Sequence, residues 1–175
     1  ANRDAYREKL ADALWQLAKD SKPASDLQLI YTRAYAANAF TPDQISKLRE
    51  VLTGSIAGLK IDTDLRWYLL IALTERGATT KSELEAELAK DNTTTGNIAF
   101  ETALAAFPNS DAKAYAFNKV RDESAATSIR SALVSGFQRP SHRHLLTPFV
   151  DLYFDSLLTE WDSKSYEGAA KFVTG

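Results

Sequence analysis

The sequence predicts an all-α fold of about ten helices. Apolar residues recur at spacings of three and four along most of the chain, which is the period of an amphipathic helix. Stretches that alternate apolar and polar residues, as a half-buried strand would, are missing. Ser, Thr and Asp stand where helices would begin, and Gly or Pro stands where they would end. These observations all favour helices.

The composition is that of a globular protein rather than a membrane or nucleic-acid-binding one. Of the 175 residues, 45% are hydrophobic and 25% are charged, and the net charge is −2. The basic and acidic residues are mixed, so no basic stripe is available for a phosphate backbone. No run approaches the roughly 18 apolar residues of a membrane helix. The start lacks a signal-peptide pattern and Cys is absent, so we expect a cytoplasmic protein.

The first helix is predicted over Asn2–Ser21, and Pro23 ends it. Its apolar stripe is formed by four residues at helical spacing, Tyr6, Leu10, Leu14 and Leu17. Ser25 is expected to cap the second helix. The third helix has the most explicit start, with Thr41 as the cap and Pro42 at the first helical position. Gly54 is expected to end it.

The stretch Asp62–Gly77 is predicted to be the central helix. Asp62 or Thr63 caps its start, and Gly77 ends it. Because the helix is apolar nearly all round, we expect it to be buried between other helices. Arg66 falls inside the apolar arc, where a guanidinium needs a carboxylate partner such as Asp62. The alternative is that Arg66 faces a cleft and holds a peptide carboxylate.

Further helices are predicted after Gly77. Thr80 and Glu83 form a capping box, and Asn92–Gly96 is interpreted as a helix start rather than a phosphate loop. Three further helices are expected. The first ends at Pro108, the second begins at Ser110, and the third runs over Ala125–Phe137. Gly136 is interpreted as a left-handed glycine at the end of the last of these. A longer helix over His142–Trp161, which Pro148 splits or kinks, and a final one over Ser165–Val173 complete the chain.

The sequence contains no catalytic or metal-binding pattern. Its only histidines, His142 and His144, stand at i and i+2 and would point about 200° apart on a helix, so they cannot share a metal ion. We interpret them as surface or capping residues. No Ser nucleophile stands beside a base, and the zinc-peptidase motif is absent.

Short connections between helices favour antiparallel helix pairs. Stacked pairs predict a right-handed α-solenoid of the HEAT or armadillo kind, formed by residues 1–175 as a single helical domain. The absence of Met, even at position 1, indicates a segment of a longer protein.

Five segments in the same order carry a resemblance to a known family. The chain resembles, over roughly residues 25–158, the C-terminal helical domain of actinobacterial aminopeptidase N, in the zinc-dependent aminopeptidase N family. One segment departs from the family pattern, because Phe117 stands where the family usually has Trp. The segments are Ser25–Ala36 (SDLQLIYTRAYA), Asp62–Gly77 (DTDLRWYLLIALTERG), Glu87–Gly96 (ELAKDNTTTG), Ala112–Phe117 (AKAYAF) and Gly136–Phe154 (GFQRPSHRHLLTPFVDLYF).

The resemblance implies a non-catalytic role for this chain within a peptidase. In the family, an earlier domain holds the catalytic zinc, whose activated water attacks a polarised peptide carbonyl. The helical domain covers the active-site cavity and limits peptide access. The implied partners are therefore the catalytic domain of the same chain and a peptide substrate, which Arg66 and His142 would contact. The alternative is a free-standing α-solenoid that binds a protein partner on its concave face.

Overall fold

The computed structural model of the chain describes residues 2–122, 124–163 and 166–173. In these ranges it contains eleven α-helices, one short 3₁₀ helix and no strand, so the predicted all-α class is confirmed. The α-helices are α1 (Asn2–Asp20), α2 (Asp26–Asn38), α3 (Pro42–Val51), α4 (Thr63–Glu75), α5 (Lys81–Leu88), α6 (Thr94–Ala105), α7 (Ser110–Arg121), α8 (Thr127–Phe137), α9 (Arg143–Leu146), α10 (Phe149–Ser163) and α11 (Tyr166–Val173), with the 3₁₀ helix at Pro140–His142.

The chain divides into two compact units, Ala1–Ala78 and Thr79–Gly175. The predicted single domain and its right-handed superhelical stacking stay predictions. The final predicted helix is found over Tyr166–Val173, while Ser165 lies outside the described residues. In the described part of the chain, no helix combines the length and apolar character that crossing a membrane requires.

The starts of the early helices follow the predicted caps. The Ser25 hydroxyl accepts the backbone N–H of Gln28 at 3.2 Å. Thr41 accepts the N–H of Gln44 at 3.3 Å, and Gln44 returns a side-chain bond to form a capping box. These local bonds satisfy N–H groups that the first helical turn leaves open.

The buried face of α1 differs from the predicted one. Ala11 and Ala18 are fully buried, and the ring of Trp15 lies 5.0 Å from that of Tyr35. Small alanine side chains let α1 pack closely against α2, and this close packing decides which face turns inward. The predicted inner stripe is therefore wrong for Tyr6, Leu10 and Leu17, which are exposed, whereas Leu14 is partly buried against the core.

The central helix α4 is buried as predicted. Its start is capped by Asp62, whose Oδ1 accepts the N–H of Leu65 at 2.9 Å. Gly77 beyond its end adopts φ +67°, a conformation that favours glycine. Buried residues occupy most of its circumference, namely Leu65, Trp67, Leu69, Leu70, Ala72, Leu73 and Thr74.

In the second unit, the predicted capping box at Thr80 and Glu83 is confirmed. The stretch after Asn92 is a helix start, as expected, because Thr93 accepts the N–H of Gly96 at 3.0 Å. Pro148 separates α9 from α10, which confirms the predicted split of the long helix. The proline has no N–H for a helical bond, so the chain restarts at Phe149.

Gly136 does not end α8 as a left-handed glycine, so that interpretation is wrong. It lies within Thr127–Phe137 and is not among the glycines with positive φ. A Cβ added here would lie 2.3 Å from the carbonyl oxygen of Thr102 and 2.6 Å from the Cβ of Ala105. Glycine is therefore required because the backbones of α6 and α8 approach closely.

Candidate functional site

Arg66, the first candidate for a peptide contact, lies in the first unit on α4. Its side chain is half-buried, so the expected full enclosure in the apolar arc does not occur. Its backbone N–H donates to the Asp62 carbonyl oxygen at 2.9 Å. An arginine in this position remains a candidate for binding a carboxylate, because its planar guanidinium matches carboxylate geometry.

Close to Arg66 in sequence, an ion pair joins α4 to α2. The guanidinium of Arg33 pairs with the carboxylate of Asp64, and its Cζ lies 5.0 Å from the centroid of the Tyr68 ring. The Tyr68 hydroxyl donates to the Arg33 carbonyl oxygen at 3.3 Å. Sequence analysis missed this contact because its partners are 31 residues apart. It connects two of the segments that carry the family resemblance.

His142, the second candidate, lies in the second unit and is only 3% exposed. It ends the 3₁₀ helix and precedes α9, yet its side chain makes no capping bond. The expectation of a surface or capping side chain is therefore wrong for His142 and confirmed for His144, which is exposed. The structure does not bring Arg66 and His142 into one compact unit.

Lys113 is a buried charged residue that sequence analysis did not select as a candidate. It is fully buried, and its Nζ donates to the carbonyl oxygens of Ala105 at 2.7 Å and Gly136 at 3.1 Å. These oxygens belong to the last turns of α6 and α8, where the helix dipoles are negative. The buried ammonium group thus holds two helix ends together, and the Lys of the AKAYAF segment has a structural explanation.

A second polar cluster joins α6 to α7. The Tyr115 hydroxyl donates to Oε2 of Glu101 at 2.6 Å, and the Lys119 ammonium donates to Oε1 of the same carboxylate at 2.6 Å. Burial and the bond to Glu101 raise the pKa of Tyr115. Burial opposes the charge of Lys119, but the hydrogen bonds to Glu101 and Tyr115 give it a raised pKa. The cluster is compact and internally satisfied, which is typical of a structural network.

The second unit also contains an apolar cavity of about 330 Å³. Four aromatic rings meet at its wall, with centroids 5.2 Å apart between Phe117 and Phe149 and 5.3 Å apart between Phe137 and Phe149. Phe172 completes the group at 6.2 Å from Phe117. We call this cavity the aromatic pocket. It is lined by Ala116, Phe117, Val120, Leu133, Val134, Phe137, Gln138, Leu146, Phe149, Val150, Tyr153, Phe154, Phe172 and Val173.

Metal coordination is not built into the described part of the chain. No three His, Asp or Glu side chains of residues 2–122, 124–163 and 166–173 come together as ligands would. The ligand set of a catalytic zinc, three protein side chains with an open position, therefore does not fit these residues.

Comparison with known proteins identifies the family. The family model of the ERAP1-like C-terminal domain matches residues 1–175. The chain is also similar to the aminopeptidase N of Streptomyces lividans, with 34% identity over 176 residues, which cover 99% of this chain and 20% of that protein. The chain thus spans about a fifth of the length of this curated relative.

The match agrees with the all-helical architecture and with the five segments that carry the resemblance. Because the family model covers the full length of the sequence, the assignment does not depend on any single motif. The chain belongs to the family of ERAP1-like C-terminal domains and is related to the C-terminal part of an aminopeptidase N.

Proposed function

We propose that this chain is the non-catalytic helical part of a zinc-dependent aminopeptidase, where it covers the active-site cavity and limits peptide access. The observation that carries the proposal is the match of the whole chain to a fifth of a protein named aminopeptidase N. We expect a helical segment whose described residues bring no zinc ligand set together to shape a cavity rather than to perform metal-assisted hydrolysis. The zinc and the catalytic groups then belong to another part of the parent chain, in the cytoplasm.

The proposal assigns two partners to this chain. The catalytic domain of the same parent polypeptide packs against it, and a peptide substrate passes through the cavity that the two enclose. The 175-residue chain alone is then expected neither to cleave aminoacyl-arylamides nor to retain zinc after dialysis. Stoichiometric zinc, or turnover that persists through further purification, would contradict this assignment.

The two candidate peptide contacts differ in accessibility. Arg66 is half-buried, so it is a better candidate for binding a peptide carboxylate than a buried residue. His142 is buried in the second unit, and a peptide contact through it requires the segment around Pro140–His142 to move. We therefore propose Arg66 as the primary contact and His142 as a contact that depends on such a movement.

The covering role is tested in the full-length parent enzyme. Peptides of increasing length and a short aminoacyl-arylamide are compared for the intact enzyme and for a version from which this 175-residue segment has been deleted. A cavity-covering domain predicts that the intact enzyme discriminates among peptides by length and that the deletion removes most of this discrimination. Zinc content and arylamide turnover serve as controls for folding of the catalytic part. Unchanged length discrimination with retained zinc would refute the covering role.

The role of Arg66 is tested by Arg66→Ala in the same enzyme. If Arg66 binds peptide, the Michaelis constant for long peptides rises about tenfold, which corresponds to the loss of one charged contact, while the midpoint of unfolding is nearly unchanged. A structural ion pair predicts the reverse, a lower midpoint with an unchanged Michaelis constant. Arg143→Ala, which removes an exposed arginine, is the matched control.

A further inference from the structure

The outer side of α10 carries an exposed apolar row that the family assignment does not explain. Val150, Phe154, Leu158 and Trp161 follow one another at i, i+4, i+8 and i+11 and lie within an arc of about 80°. Their exposed fractions are 49%, 66%, 74% and 45%. We call these four residues the α10 stripe. Contiguous exposed side chains of this size mark an interaction surface.

One side of α10 is already occupied by contacts within the second unit, whereas Leu152, at about 200° from Val150, is exposed. Phe149 and Tyr153 belong to the aromatic pocket, and the Tyr153 hydroxyl donates to the Val173 carbonyl oxygen at 2.8 Å. Glu160 is buried and accepts a bond from Nε of Arg121 at 2.7 Å. These contacts fix the rotation of α10 about its own axis, so the α10 stripe cannot turn inward without breaking them.

The aromatic pocket opens beside the α10 stripe. Val150 and Phe154 belong to both features, since they also line the cavity of about 330 Å³. A pocket next to an apolar row is the usual arrangement at a protein interface, where one large side chain of the partner fills the pocket and contributes most of the binding energy.

The charges on α10 specify the partner further. Asp151, Asp155 and Asp162 are exposed and lie on the helix surface next to the α10 stripe, at about 100–140° from Val150. Phe149–Ser163 contains no Lys or Arg. The row of carboxylates therefore presents one sign of charge along the whole helix and favours a partner with the opposite sign.

An exposed apolar side chain in the first unit lacks this charge pattern. Leu10 on α1 is exposed. The charged side chains nearest to it on the helical wheel are Arg3 and Arg7, at i−7 and i−3, and both are cations. Cations do not attract a basic partner helix. Leu10 therefore serves as an internal control for the α10 stripe.

We propose that the α10 stripe docks an amphipathic protein helix whose apolar face carries a large aromatic or aliphatic anchor for the aromatic pocket. Lys or Arg residues along one edge of that helix pair with Asp151, Asp155 and Asp162. This is the helix-in-groove mode, in which anchors at helical spacing give affinity. The neighbouring charges give register and orientation. The proposal does not depend on the peptidase role of the parent.

The test uses the full-length protein that contains this chain and two synthetic helical peptides that share one Leu/Phe stripe. In the first peptide the flanking positions are Lys, and in the second they are Glu. Fluorescence anisotropy is expected to give a dissociation constant at least about tenfold lower for the Lys peptide, with affinity falling as salt rises. Equal binding of both peptides, or no binding of either, would overturn the proposal.

Three variants locate the binding surface. Phe154→Glu is expected to weaken binding of the Lys peptide about tenfold or more because it places a charge in the stripe. Asp155→Lys is expected to weaken the Lys peptide and strengthen the Glu peptide. Leu10→Glu, the matched control in the first unit, should leave the binding of both peptides unchanged. Circular dichroism checks that each variant keeps its helix content. An equal effect of Leu10→Glu, or an Asp155→Lys variant that does not reverse the preference, contradicts the proposal.

Two other occupants give different outcomes. Self-association seen by sedimentation velocity and abolished by Phe154→Glu, without peptide binding, would assign the stripe to a second copy of the chain. Binding to neutral lipid vesicles that Phe154→Glu abolishes, again without a preference for the Lys peptide, would assign it to a membrane surface. Either result replaces the proposed helical partner.

Discussion

Two cations in this protein neutralise the ends of helices from inside. In the first unit, Arg76 donates from Nη1 to the Ala72 carbonyl oxygen at 2.6 Å and from Nη2 to that of Ala37 at 2.9 Å. In the second unit, Lys113 does the same for Ala105 and Gly136. The last carbonyl groups of a helix lack partners within the helix. A buried cation satisfies them and interacts favourably with the helix dipole.

Replacement of Lys113 by Met is expected to destabilise the second unit strongly. Met keeps most of the apolar length but leaves two buried carbonyl oxygens without their donor, at about 1–3 kcal/mol each. We expect a total loss of about 3 kcal/mol in the free energy of unfolding, measured by urea denaturation. Lys81→Met removes an exposed lysine that pairs with the exposed Glu85 and should cost less than about 0.5 kcal/mol. Similar losses in the two variants would show that Lys113 does not hold the helix ends.

Individual capping residues could be read from the sequence, but the buried cations could not. Ser25, Thr41 and Thr80 bond to N–H groups three residues away, so the whole interaction lies within one short segment. Lys113 reaches a carbonyl 23 residues away. Such a partner is set by how three helices meet, and a single sequence does not contain that geometry.

At the level of the helices, a single glycine explains how closely α6 and α8 approach each other in the second unit. The backbone of α8 lies against Thr102 and Ala105 without room for a Cβ at Gly136. The sequence suggested a left-handed glycine at the end of the helix because glycine is common just after a helix. The sequence does not distinguish a glycine at a close helix crossing from a glycine at a helix end. Only the position of the neighbouring helix does so.

Gly136→Ala is expected to push α6 and α8 apart. The added methyl would overlap the Thr102 carbonyl oxygen, a backbone atom that cannot move alone. Overpacking of this kind costs about 1–3 kcal/mol, although alanine is the better helix former. Ser135→Ala, at the exposed neighbouring position of α8, should be neutral or slightly stabilising. Thermal unfolding of both variants decides the matter, and a stabilised Gly136→Ala protein would refute the close-crossing explanation.

The rotation of α1 shows another limit of periodicity. Tyr6, Leu10 and Leu17 and the pair Ala11 and Ala18 lie at helical spacings on neighbouring faces. Hydrophobicity alone favours burial of the larger set. Close packing against α2 favours the smaller one, and the structure buries the alanines. The existence of the helix was predictable from sequence, whereas the face that it buries depends on the shape of its neighbour.

For the whole molecule, each unit has its own buried core and a tyrosine hydroxyl with a raised pKa. In the first unit, the Tyr35 hydroxyl donates to the Gln44 carbonyl oxygen at 2.7 Å, and burial, followed by nearby Asp43 and Asp12, raises the pKa of Tyr35. In the second, burial raises the pKa of Tyr115. A pKa raised above the unfolded value gives stability that is present below that value and is lost as pH rises through the folded pKa.

Alkaline pH is therefore expected to destabilise both units. The unfolded pKa of tyrosine is about 10, so the midpoint of unfolding should be nearly level between about pH 7 and 9 and fall above about pH 10. Tyr35→Phe and Tyr115→Phe should each reduce the steepness of that fall, even though each also lowers stability at neutral pH. Tyr6→Phe, at an exposed position, is the control. If the wild-type protein and all three variants lose stability equally steeply with pH, the hydroxyls of Tyr35 and Tyr115 do not govern the alkaline transition.

The candidate peptide contacts were the least predictable part of the molecule. Spacing along α4 gives the direction of Arg66 relative to its own helix axis, but a peptide contact requires the surface that faces it across a cavity. In the proposed parent, that surface belongs to residues outside this chain. The proposed role of these residues as peptide contacts came from the family resemblance. The sequence alone predicted only the helices that carry them.

The complete burial of Lys113 makes its amine a built-in reporter of opening. An amine-reactive reagent modifies exposed lysines directly, but it reaches Lys113 only after α6, α7 and α8 have separated. Mass spectrometry of partly labelled protein would then record two kinetic classes of lysine in one sample. The rate at Lys113 would follow the opening of the second unit under native conditions, without denaturant and without an engineered probe.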